Sequence, residues 1–291
     1  MRRPNRQLRY LYRFFRSTVY CLLFTLLSCS FEIAVTRYAL VYGASNYDTA
    51  DDLNYTDDDA REIADTLDAA GWVVYRIWEP TMTRQDIFND ISELAGRVNH
   101  DSSVLVYFAG HGSVDIHGTT YIIPTDENPI SSPELLSWLD TLPCRNRILI
   151  LDTCYSGGFV TDTGTLDAAP QDYGISDDGT GGSALLAALG SYSKLLASAF
   201  QSYDPRTPIV VTAAGSEELS WESSVYTNGV FTYFFLQSAT KGDLDGNGLV
   251  TIQEAFRSAR EGVERYWNSM NAGSADFLPR ISGNARDVVI F

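Results

Sequence analysis

Two stretches decide the fold of this 291-residue chain: VLVYFAGHGS at residues 104–113 and RILILDTCYSGG at residues 147–158. Each is a run of aliphatic and aromatic residues that ends among glycines around one chemically active side chain, His111 or Cys154. Runs that are apolar at every position fit strands buried on both faces, as in a parallel sheet flanked by helices. In such sheets the ligand crevice lies beyond the carboxyl ends of the strands. His111 and Cys154 are therefore expected to face one crevice from adjacent strand ends.

Working outward, short apolar runs alternate with amphipathic stretches, the pattern of a mostly parallel sheet with crossover helices. Strands are predicted at residues 38–42, 73–77, 104–109, 147–152 and 208–214, with residues 288–291 as the last. A helix is predicted from Thr56, read as its N-cap, with Asp57, Asp58 and Asp59 in the first turn, where acids suit the helix dipole. Ala60, Ile63, Ala64 and Leu67 form its apolar face and Gly71 ends it. Further helices are expected at 83–98, 133–142, 231–238 and 252–263, and a small hairpin arm at 118–124. Residues 156–207 are rich in Gly, Asp and Thr at their start and without period, which predicts a long mobile loop.

The chain carries 37 acidic against 21 basic residues, a formal charge of −16. Phosphate binding needs clustered cations, so nucleic acid is excluded as an expected partner. The basic residues are concentrated at the start: Arg2, Arg3, Arg6, Arg9, Arg13 and Arg16 precede the first acid, Glu32. The apolar run after Arg16 is too short to span a membrane and fits the h-region of a secretory signal. It closes on Leu26-Leu27-Ser28-Cys29, which resembles a bacterial lipobox. Residues 1–28 are thus expected to be a lipoprotein-type signal peptide, Cys29 a lipidated thiol, residues 29–36 a tether, and 37–291 one domain. The expected location is the bacterial cell envelope, lipid-anchored or secreted.

A cysteine nucleophile needs an imidazole partner, because thiolate is the reactive form. Glycines beside it let backbone N–H groups approach a substrate carbonyl. Taken singly, His111 reads as a surface histidine and Cys154 as a small buried hydrophobe. Together, at matching strand ends, they read as a dyad. His100 lies in a polar turn, and His117 lies in a hairpin turn from which it would be a rival base only if the arm folded over the crevice. Cys144, one strand length before Cys154, is out of disulfide reach and reads as structural.

FAGHGS followed by ILDTCYSGG resembles the caspase-like cysteine peptidases of the metacaspase and bacterial orthocaspase type. LNYTDDDAREIADTL, VVTAAGSEELSWE and TNGVFTYFFLQSA extend the resemblance over residues 37–291. It implies a three-layer αβα sandwich on a six-stranded sheet, parallel except for the last strand. It implies Cys154 as nucleophile, His111 as base and acid, and an oxyanion hole from the N–H groups of Gly112 and Cys154. Caspases carry Gln two residues before the cysteine; this chain has Asp152. An acid there would attract a cationic side chain, and the resemblance pairs it with Asp59, which implies cleavage of protein or peptide substrates after Arg or Lys. Alone, Asp59 reads equally as a helix N-terminal acid. The resemblance also implies a monomer and possible self-cleavage at Lys194 or Arg206, the only basic residues of the 156–207 loop. No organic cofactor is needed.

A second motif, DLDGNGLVTIQE at residues 243–254, fits the EF-hand calcium loop. Asp243, Asp245, Asn247, the Leu249 carbonyl, Thr251 and Glu254 are the expected Ca2+ ligands, and a solvated charged turn is the plain alternative. Two rival functions come from other classes. One is a catalytically inactive, calcium-stabilised scaffold; the other is an Asn-specific peptidase or peptide ligase on the same dyad.

Overall fold

The computed structural model describes residues 36–76, 82–156, 207–271, 275–283, 285 and 288–291. The predicted signal peptide, Cys29, and the predicted loop with Lys194 and Arg206 fall on residues 1–35 and 157–206, outside those described. Among the described residues no helix is long and apolar enough to cross a membrane.

In chain order, the elements up to the strand that precedes Cys154 are β1 (Arg37–Gly43), α1 (Thr56–Ala69), β2 (Val73–Arg76), α2 (Arg84–Ala95), β3 (Ser103–Ala109), β4 (His111–Val114), β5 (Thr120–Ile123), β6 (Ile130–Ser131), α3 (Ser132–Asp140) and β7 (Asn146–Asp152). After it come β8 (Ile209–Thr212), β9 (Glu222–Ser223), β10 (Asn228–Gly229), α4 (Val230–Lys241), α5 (Ile252–Gly262), which continues as a π-helical turn over Val263–Asn268, α6 (Ser269–Asn271) and β11 (Arg280–Ser282).

The main sheet has six strands in the order β11-β8-β7-β3-β1-β2, all parallel except β11, which runs antiparallel to β8. Residues alternate between two cores. Ala39, Val41, Leu105, Tyr107, Ile148 and Ile150 meet α1, α4 and α5 on one face. Leu40, Tyr42, Val106, Phe108, Leu149 and Leu151 meet α2 and α3 on the other. Every residue of β3 is buried, as the unbroken apolar run predicts. This is the three-layer α/β sandwich expected.

Three details differ from the sequence reading. Thr56 is the first residue of α1, not its cap; its hydroxyl donates to the Ala44 carbonyl at 2.8 Å, tying the helix to the end of β1. The antiparallel strand is β11, not residues 288–291. Those residues instead pair with the end of the 243–254 loop: Val250 N donates to Phe291 O at 2.9 Å and Ile290 N to Val250 O at 2.8 Å. The strand 73–77 is described only to Arg76.

The site is positioned by register. Gly43 lies opposite Ala109, and Ala109 opposite Asp152, so β1, β3 and β7 finish in one row. The main chain holds that row together beyond the strands, with Ala44 N donating to Ala109 O at 2.8 Å and Gly110 N to Asp152 O at 3.3 Å.

Candidate active site

His111 opens the hairpin β4–β5 two residues after β3, and Cys154 likewise follows β7 by two residues. The two segments touch through Gly112. A side-chain carbon at residue 112 would lie 2.1 Å from the Cys154 carbonyl oxygen and 3.0 Å from Thr153 Oγ1, so only glycine lets β4 lie against the Cys154 turn. The turn itself is unusual: Tyr155 has φ 56°, a left-handed conformation for a bulky residue. Its N–H donates to Glu218 O at 2.9 Å, which ties the turn down.

The His111 Nε2 atom lies 2.7 Å from the Asp51 carbonyl oxygen. A carbonyl only accepts, so Nε2 carries the proton and a neutral imidazole keeps its lone pair on Nδ1. The Cys154 thiol is half-buried and donates to Ser220 O at 3.6 Å. Burial, and secondarily the charge of Asp152, raises its pKa, so the sulfur rests as a thiol.

The two carboxylates singled out in the sequence, Asp152 and Asp59, come together beside Gly229. Asp152 Oδ1 accepts from Ser220 Oγ at 2.5 Å, and Oδ2 accepts from Thr232 Oγ1 at 2.7 Å and Thr232 N at 3.2 Å. Asp59 accepts from Asn228 Nδ2 at 2.9 Å and from Gly229 N at 3.0 Å. The three acids of the first turn of α1 divide sharply. Asp57 and Asp58 pair with Arg61 on the surface, at 3.5 and 3.2 Å, whereas Asp59 is buried and turned toward β10. Burial raises the pKa of both buried acids, and the charge of Asp152 raises that of Asp59 further. Glu222, which accepts from Tyr55 N at 2.8 Å, adds a third negative charge nearby.

A family profile described as Caspase domain matches residues 36–283. The chain belongs to the caspase-domain family. Its members are generally cysteine peptidases, whose substrates are proteins or peptides. Among solved structures, the Geobacter sulfurreducens protein GSU0716 matches with a TM-score of 0.56 at 15% identity, over 87% of this chain and 95% of that one. Caspase-1 from Spodoptera frugiperda matches with a TM-score of 0.57 at 11% identity, over 88% of each chain. At such identities these likenesses show the fold. No curated protein sequence matches the chain.

The other sequence candidates of this caspase domain fall elsewhere. His100 is exposed beside Asp101, 3.3 Å away. His117 sits exposed at the tip of the β4–β5 hairpin, where its N–H donates to Asp115. Cys144 is a buried free thiol, pushed up to about 11 by burial.

The 243–254 loop is curled as its motif predicts. Asp243 accepts from the N–H groups of Gly246, Asn247 and Gly248, at 2.8 to 3.1 Å. Gly248 has φ 86°, the left-handed turn the sixth position demands. Carboxylate oxygens of Asp243, Asp245 and Glu254 lie within 4.8 Å of one another. Thr251 and Glu254 also form the capping box of α5, and Leu249 N donates to Asn247 Oδ1 at 2.8 Å. All-oxygen donors at this spacing suit a hard cation.

Sequence reasoning missed the neutral partners of the site: the Asp51 carbonyl, Ser220, Thr232 and Asn228. They come from loops or element ends, where no periodicity marks them. Ser220, Asn228 and Thr232 lie inside two of the segments that carry the family resemblance, which was the one available signal.

Proposed function

We propose that the chain is a cysteine endopeptidase that cleaves after Arg or Lys, with Cys154 as nucleophile and His111 as base and acid. The observation that carries this reading is the main-chain contact between Gly112 and Cys154. It brings the histidine hairpin and the cysteine turn together at the strand-end row in which Asp152 closes β7.

The steps follow from the groups present. Nδ1 of His111, free because Nε2 is committed to Asp51 O, takes the thiol proton as sulfur attacks the substrate carbonyl. The Asp51 carbonyl favours the resulting imidazolium. Negative charge on the carbonyl oxygen is received by the N–H groups of Gly112 and Cys154. The imidazolium then protonates the leaving amine, leaving a thioester. Water, deprotonated by the same imidazole, hydrolyses it. The cationic side chain N-terminal to the cut bond enters the pit of Asp152 and Asp59, where desolvation strengthens the attraction.

Calcium is the second part of the proposal. Asp243, Asp245, Asn247, the Leu249 carbonyl, Thr251 and Glu254 would hold one Ca2+ ion, which rigidifies the loop at the head of α5. The proposal also retains an envelope location through lipidated Cys29 and a monomeric protein, both resting on the sequence.

Labelling with arginyl, aspartyl and asparaginyl electrophilic peptides tests the peptidase reading. Labelling of the parent by the arginyl probe, abolished in Cys154→Ala, is the expected outcome. No labelling at all favours the scaffold; labelling by the asparaginyl probe alone favours the Asn-specific alternative.

A further inference from the structure

The loop between β1 and α1 contains a tyrosine that the proposed mechanism does not use. The Tyr47 hydroxyl accepts from His111 N at 3.0 Å and donates to Ile123 O at 3.0 Å. His111 and Ile123 are cross-strand partners in the β4–β5 hairpin. The phenol thus relays, through its own oxygen, a donor on one strand to an acceptor on the other. Its ring lies against the imidazole, with centroids 4.6 Å apart and planes at 51°. Space for the hydroxyl exists because residue 110 is glycine: a side-chain carbon there would lie 2.9 Å from the phenol oxygen.

The same loop is held from outside. Tyr47 N donates to Asp52 Oδ1 at 2.9 Å. Glu127, at φ 51° in the connection from β5 to β6, accepts from Thr49 N at 2.5 Å, from Ala50 N at 3.2 Å and from the Thr49 hydroxyl. The next residue is Asp51, whose carbonyl meets His111 Nε2. Residues 47–52 therefore touch His111 at its backbone N–H, its ring face and its Nε2, and Glu127 pins the middle of that contact.

We propose that Tyr47 is the positioning residue of His111, its hydroxyl fixing the backbone from which the imidazole projects and its ring setting the imidazole plane. The proposal rests on His111 being the base of the reaction. A lost hydroxyl would let the imidazole wander from the line to the sulfur, and displacements near 1 Å are worth up to about 100-fold in rate.

The test uses Tyr47→Phe in the full chain, which keeps the ring and removes only the oxygen. Two readouts are taken. With an arginyl peptide, kcat is expected to fall about 10- to 100-fold with KM unchanged. In 15N spectra of the imidazoles, with His111 assigned through His100→Gln and His117→Gln, the parent is expected to show a fixed Nε2–H tautomer and the variant an averaged one. Wild-type kcat together with an unmoved His111 spectrum would overturn the proposal. Should the parent turn over no peptide, the peptidase reading fails while the imidazole spectrum still decides the role of Tyr47. If Tyr47→Phe does not fold, amide exchange in the parent decides it: a protected His111 N–H supports the phenol contact, and rapid exchange refutes it.

Discussion

Asp59, in the first turn of α1, and Asp152, at the end of β7, approach Gly229 together: a side-chain carbon on that glycine would lie 2.9 Å from one carboxylate and 2.5 Å from the other. Two buried acids this close to one backbone site make up the proposed cation pit, and the backbone beside them has no room for even a methyl group. Gly229→Ala is therefore expected to push Asp152 and Asp59 aside. Since Gly229 N also donates to Asp59, the displacement breaks a buried hydrogen bond. The expected result is a KM for arginyl peptides raised about 10-fold or more, with a lowered melting temperature. Unaltered kinetics with a lowered melting temperature would mean that the pit is structural only.

The charge of that pit makes opposite demands on binding and stability. Burial holds Asp59 and Asp152 above the usual carboxylate range, and mutual repulsion adds to the shift of Asp59. A cationic side chain binds the ionised pair, so KM for arginyl peptides should fall as pH rises through the raised pKa values. Stability runs the other way. A carboxyl whose folded pKa exceeds its unfolded value contributes stability that is complete below the unfolded value and lost as pH rises through the folded one. Asp152→Asn removes the charge, keeps one oxygen for Thr232 N and Oγ1, and turns an amide N–H toward the Ser220 hydroxyl, which can accept it. It should raise KM about 100-fold, from the roughly 2–5 kcal/mol lost on truncating a desolvated charge pair. It should also flatten the pH dependence of KM and melt no lower than the parent at neutral pH. Kinetics and melting across about pH 5 to 8 check both halves, and an unchanged arginyl KM would remove the acidic-pocket reading.

The resting state of the sulfur is a further consequence of burial. With its pKa raised and its proton directed at Ser220 O, Cys154 is not a standing thiolate, so its reactivity depends on a base. Alkylation by an uncharged haloacetamide should be slow at neutral pH and keep accelerating past the ordinary thiol range. His111→Gln should lower kcat by about 10^4-fold or more while leaving that high-pH alkylation intact. Cys154→Ala should abolish both. Fast, pH-independent alkylation in the parent would instead indicate a preformed ion pair.

How much of this was legible in the sequence follows from which forces act locally. β3 and β7 were readable because burial on both faces demands apolar residues throughout, and their ends carry the two reactive side chains. β11 was not, since Arg280–Ser282 is three residues between Pro279 and a Gly283 at φ 87°, too short for any pattern. Residues 288–291 look more like a strand than β11 does, yet their ladder partner is Val250, a pairing that only tertiary contact selects. Thr56 looked like a cap because Ser and Thr accept from helix N–H groups, but its hydroxyl has a carbonyl to satisfy. In the pit, Asp152 was marked by its place beside Cys154. Asp59 was separable from Asp57 and Asp58 only by the family resemblance, and the structure distinguishes them by burial. Tyr47, Ser220 and Thr232 act through hydrogen bonds from loops or element ends, for which a lone sequence has no period to read.

Glu254 serves two purposes, and a conservative change separates them. Its carboxylate accepts from Thr251 N at 2.9 Å and Thr251 Oγ1 at 2.8 Å, closing the capping box of α5, and from Leu244 N at 3.2 Å across the loop. As the twelfth residue of the proposed calcium loop it would also supply the bidentate acid. Gln at the third helical position still completes a capping box, so Glu254→Gln preserves the helix start while giving up the Leu244 N contact and the charge that a bound cation would need. In metal-free buffer the variant should melt close to the parent. Saturating calcium should raise the parent's stability by about 2.7 kcal/mol at a hundredfold excess over its dissociation constant, and the variant's far less. The gain should extend to residues 290–291, because Val250, within the loop, pairs with Ile290 and Phe291; slower amide exchange at Ile290 on adding calcium would register it. A parent whose melting temperature and Ile290 exchange ignore millimolar calcium would reduce residues 243–254 to a capped, charged turn.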